Sequence, residues 1–70
     1  MKIELTKAEA LVLFDWLSRN SKKPELFADQ SEQYVFRNME CQLEKELLEI
    51  FAPNYDELLK KAQKTVTEQY

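Results

Sequence analysis

Neither glycine nor histidine occurs in this 70-residue chain, and cysteine occurs once, at Cys41. Without glycine there is no residue that freely takes the left-handed angles needed by phosphate-cradling loops, tight hairpins and close backbone approach to a cofactor. Rossmann and P-loop readings are therefore excluded. Without histidine the usual neutral-pH acid–base group and the commonest nitrogen ligand for metals are both missing. A lone cysteine rules out an intramolecular disulfide and a multi-cysteine zinc site, and its ordinary use is as a small core side chain.

Long apolar runs are also missing. The longest, Ala10 to Phe14, is closed by Asp15. It is too short for a signal-peptide core or a membrane span, so a cytoplasmic protein in a reducing compartment is expected. The net charge of −3 gives no general attraction to nucleic acid or to an anionic membrane.

What is present is a folded-domain composition, with 44% hydrophobic and 33% charged residues. Seventy residues make one domain, spanning 1–70, and a chain this short buries only roughly 60% of its unfolded surface. A partner would add burial that one small core lacks.

Three times the chain carries a small polar residue followed three positions later by glutamate: Thr6 with Glu9, Asp29 with Glu32, Asn54 with Glu57. In such a capping box the first side chain accepts from the N–H three residues on, and the glutamate reaches back to the cap's own N–H. Each copy opens an apolar run of helical period. The expectation is an all-α three-helix bundle, with helices over about 7–20, 30–51 and 55–68 behind a short extended arm over residues 1–5.

In the arm, Ile3 and Leu5 alternate with Lys2 and Glu4. Such a segment either lays its apolar side on the helices or pairs as a strand with a second copy. In the first helix, Val12, Glu9, Trp16, Leu13, Leu17, Ala10 and Phe14 cover an arc of about 200°. That is wider than one neighbour needs, so this helix is either central or partly covered by another molecule. Leu26 and Phe27 in the following connection are expected to tuck under the helices. Pro53 ends the second helix, because it lacks an N–H and biases Ala52 away from helical angles.

The second helix carries two seams. Phe36, Met39, Leu43, Leu47 and Ile50 form the main stripe; Tyr34, Cys41 and Leu48 form another at seven-residue spacing. Two seams imply two neighbours. Trp16, Leu13, Tyr34, Cys41 and Leu48 are accordingly the candidate interface residues. The third helix has a stripe of Tyr55, Leu58, Leu59, Ala62 and Val66, with acidic residues in its first turn and Lys60, Lys61 and Lys64 after them, as the helix dipole favours.

Candidate chemistry is sparse. The glutamates of the second helix lack the histidine partner of a di-metal bundle site, and no nucleophile accompanies them, so no catalytic residue, metal or cofactor is expected. Glu40 stands apart, about 40° from Phe36 and inside the apolar stripe. A carboxylate there needs a partner, for which Arg37 and Arg19 are the candidates in a buried ion pair.

The segments EALVLFDWL, FADQSEQYVF and LEKELLEIFAPNYDELL, with Ala62, resemble a group of short hypothetical bacterial helical proteins. The resemblance implies a bacterial setting and transfers no activity. The functional expectation is a non-enzymatic protein-interaction or self-associating protein, a homodimer included. The alternative is a ribbon-helix-helix-like DNA-binding regulator using residues 1–5 as its strand; Glu4, the acidic charge and the extra third helix speak against it.

Overall fold

The computed structural model describes Lys2 to Tyr70; Met1, the first residue of the expected arm, lies outside the described residues. Three α-helices follow one another, α1 over Lys7–Asn20, α2 over Gln30–Glu46 and α3 over Tyr55–Gln69. Short 3₁₀ segments, Pro24–Leu26 and Leu48–Phe51, occupy the two connections. Among the described residues there is no strand, and the architecture is an all-α three-helix bundle.

α1 is the central element: α3 packs along it extensively, α2 packs on it less, and α2 and α3 barely touch. Its excess apolar width is thereby explained by two neighbours in the same chain. Burial on α1 even exceeds the arc, because Leu11, about 60° beyond it, is enclosed together with Ala10 and Leu17. Ala10 and Leu11 meet Leu47 and Ala62 in the core cluster, flanked by Val12, Phe14, Leu43, Ile50 and Tyr55. Ala62 permits the close approach of α3.

α2 ends at Glu46, five residues before the expected limit at 51. The apolar period continues through Leu47 and Ile50, so periodicity alone cannot locate the break. Helix length decides it: continued to Phe51, α2 would reach about 33 Å and overhang α1 and α3, which are about 21 and 22 Å long. The chain instead bends at Leu47, with φ −102° and ψ 90°, buries that side chain, and returns toward α3 through the 3₁₀ turn. Lys7 and Glu49, 2.7 Å apart, tie this turn to the start of α1.

The three cap signals fare differently. At Thr6 the box is complete: the Thr6 N–H donates to Glu9 Oε1 at 2.9 Å and the Glu9 N–H donates to Thr6 Oγ1 at 3.1 Å. At Asp29 the carboxylate accepts from the Ser31 N–H, and Glu32 reaches one residue further back, to the Ala28 N–H. Asn54 makes no side-chain cap bond, and its carbonyl alone accepts from Glu57 and Leu58. Thr6→Ala is accordingly expected to cost about 1 kcal/mol in urea unfolding. Asn54→Ala should stay within about 0.5 kcal/mol of the parent.

The arm does not lie on the bundle, for Ile3 and Leu5 remain exposed. In the first connection Phe27 is half-buried and stacks on Phe36 at 5.5 Å, whereas Leu26 stays exposed. Only half of the expected tucking occurs.

Candidate functional site

Glu40 is the most informative polar residue. It is half-buried on α2, and its Oε1 accepts from the Ser21 hydroxyl at 2.5 Å. Ser21, at the C-terminal end of α1, is fully buried, at 0% exposure. Gln33, seven residues before Glu40 on the same side of α2, donates to the Ser21 carbonyl at 3.0 Å. Two side chains of α2 thus grip one residue of α1.

This corrects the expected ion pair. Arg19 is held by Asp15, Nε to Oδ2 at 2.9 Å, one turn earlier on its own helix. Among the described residues no salt bridge joins Arg37 to Glu40 either. A buried arginine would have to give up its water, while a serine hydroxyl satisfies the carboxylate at far smaller desolvation cost. Ser21 carried no signal beyond turn chemistry in the sequence. The signal that could have found it is the spacing of Gln33 and Glu40, two polar side chains stacked inside an apolar stripe.

The candidate interface residues separate into two groups. Leu13 is half-buried on α1, and Trp16, 41% exposed, meets Phe36 edge-on at 6.3 Å. Trp16 thereby takes part in the α1–α2 contact. Tyr34, Cys41 and Leu48 are all exposed, Leu48 at 78% and Tyr34 at 57%. Their seam points away from α1, and no neighbour covers it among the described residues. Cys41, Glu44, Lys45, Leu48 and Phe51 line a shallow open depression there, and Phe51 is 70% exposed. Phe51 joins this face only because the chain leaves helical geometry at Leu47.

Among the described residues no three His, Cys, Asp or Glu side chains gather in a way that could hold a metal ion. Among the same residues no helix is long and apolar enough to cross a membrane. Lys60, Lys61 and Lys64 are exposed on α3, with Lys64 4.0 Å from Glu68. Aromatic residues do not interleave them, as a single-strand binding surface would require.

The ionisable groups with displaced pKa values lie at helix ends. Glu9 is held below the usual carboxylate range, chiefly by the Tyr70 hydroxyl donating to it at 2.5 Å and then by Thr6. The Lys7 ammonium lowers Glu49, and Ser31 lowers Asp29. Tyr70 is raised by its bond to Glu9, and Tyr55 is raised by burial and then by Asp15.

Depressed carboxylates stabilise the fold above their ordinary values, 4.5 for glutamate and 3.8 for aspartate, and that contribution is lost as pH falls through the folded values. Raised tyrosines act oppositely: their contribution is full below 10.0 and lost as pH rises through the folded values. Thermal melts should therefore show a plateau from about pH 5 to pH 9, falling on both sides. Tyr70→Phe should make both limbs shallower.

No family model matches this chain, and no curated protein or solved structure matches it significantly.

Proposed function

We propose that this chain is a non-enzymatic helical interaction protein that docks a protein surface on the outer face of α2. One observation carries the reading: Tyr34, Leu48 and Phe51 leave most of their large apolar side chains in water along one side of the bundle. Isolated exposed apolar residues are ordinary on any surface, but an aligned seam ending in an apolar depression is the form that interaction sites take. Aromatic side chains on such a face supply most of the binding free energy when a partner covers them.

The setting that fits is the cytoplasm of a bacterium, where a reducing environment leaves the exposed Cys41 thiol free. The acidic chain, whose small basic face at Lys60, Lys61 and Lys64 carries no interleaved aromatic residues, favours a protein partner over nucleic acid.

Leu48→Lys tests the reading. Leu48 makes little contact within the chain, so thermal stability should stay within about 0.5 kcal/mol of the parent. Association, whether with itself or with a protein retained on the immobilised chain, should be lost. The reading fails if the parent neither self-associates nor retains any protein that the variant loses.

A further inference from the structure

Between the end of α1 and the middle of α2 the chain has little to hold it. From Lys22 to Asn38 every residue is exposed except Phe27, Gln33 and Phe36, which are half-buried. The flanks of this segment are firmly set. Ser21 before it is fully buried, with its N–H donating to the Leu17 carbonyl at 2.8 Å, and Leu43 beyond it packs on the core cluster that contains Leu47.

The segment is also connected within itself. Phe27 stacks on Phe36, and the Ala28 N–H donates to Glu32 Oε1 at 2.8 Å, so the connection and the first turns of α2 are coupled. Toward α1 its attachments are the edge contact of Phe36 with Trp16 and the node in which Glu40 and Gln33 hold Ser21.

We infer that residues 22–40 form a strap that opens from α1 as one unit, while α1, α3 and the turn at Leu47 stay packed. Local opening costs least where few apolar side chains are buried and most backbone hydrogen bonds face water. The strap meets both conditions. α1 and α3 do not, because Ala10, Leu11 and Ala62 are enclosed with Leu47 in the core.

The attachments fail together. Gln33, Phe36 and Glu40 follow one another at spacings of three and four residues on one side of the helix, so a movement that parts one from α1 parts the others. Once released, the stretch from Gln30 to Glu40 is shorter than the about 12 residues below which an isolated helix is marginal in water. Release therefore unwinds it. Opening frees Ser21 and uncovers the Phe36 side of Trp16, on the inner side of α2, and it does not depend on what docks on the outer face.

The test is native-state hydrogen exchange, followed by NMR on the full chain through a series of low urea concentrations. Amides of Tyr34 to Glu40 are expected to be protected at least about tenfold less than those of Phe14 to Leu17. They should converge on one opening whose urea dependence is shallower than that of global unfolding. Ala62→Gly separates the two processes, because Ala62 stays packed whether the strap is closed or open. The variant should lower the protection of α1 and α3 amides about fivefold and leave the strap amides unchanged. Equal protection of strap and α1 in the parent overturns the inference. A fivefold loss at the strap amides in the variant does so too, because the strap then unfolds only with the whole chain. Strap amides that exchange one by one, without a shared urea-dependent opening, also overturn it.

Discussion

Leu17→Ala is expected to lower the unfolding free energy by about 3 kcal/mol, the largest effect of any single truncation in this chain. Leu17 is 0% exposed on the central helix. Alanine in its place loses the transfer free energy of the missing carbons and leaves a cavity that flanking helices fill only in part. The magnitude matters because a domain of this length has only about 3.5 to 10 kcal/mol in total.

A loss of this size lowers the melting temperature by about 12 to 24 °C. Urea unfolding followed by circular dichroism and by Trp16 fluorescence measures it directly. Leu48→Ala is the matched control: the same chemical change at a 78% exposed position should stay within about 0.5 kcal/mol. Equal losses at both positions would contradict the placement of the core.

Ser21→Ala is expected to be the next largest, at about 2 kcal/mol, although only one oxygen is removed. The hydroxyl is the donor that satisfies Glu40 Oε1, and without it a half-buried carboxylate loses its only side-chain partner among the described residues. Breaking a bond to a charged group costs more than breaking a neutral one, because the charge stays behind. Glu40→Gln provides the contrast. An amide oxygen still accepts from Ser21, so the loss should be below about 1 kcal/mol. If both variants unfold at the same urea concentration as the parent, the Ser21–Glu40–Gln33 node does not hold α2 to α1.

These two variants probe different halves of the fold. Leu17 reports on a core built around α1. Ser21 reports on how α2 is attached, and α2 has no fully buried side chain of its own. A helix attached through half-buried Phe36, Met39 and Leu43 and one polar node has a face to spare. The docking surface follows from that thin attachment: α3 packs along α1 and does not reach over α2.

Much of the architecture was legible in local sequence. The number of helices and the starts of α1 and α2 follow from side-chain-to-backbone chemistry within a few residues, and short-range chemistry is what a sequence displays; α3 starts after Asn54 without a side-chain bond, and Pro53, expected to end the second helix, lies seven residues beyond its observed end at Glu46. The apolar width of α1 left open a central helix or cover by another molecule, which packing by both α2 and α3 decided, and the seam of Tyr34, Cys41 and Leu48 announced a surface distinct from the main stripe of α2. What could not be read was anything set by distance in space. The end of α2 at Glu46 depends on the lengths of α1 and α3, not on its own period. Leu11 is buried because α3 happens to lie on that side of α1.

The same division governs the sites. Glu40 stood out from its place in the stripe, but its partner had to come from whatever α1 brought opposite, and that was Ser21, not Arg19 or Arg37. Phe51 joined Leu48 on the outer face only through the bend at Leu47. The sequence by itself determined where helices start and which faces are apolar, because caps and periodicity act within one or two turns. Tertiary structure alone decided which apolar face closes on the chain itself and which stays open at the second seam, because that choice depends on how three helices of fixed length share one central neighbour.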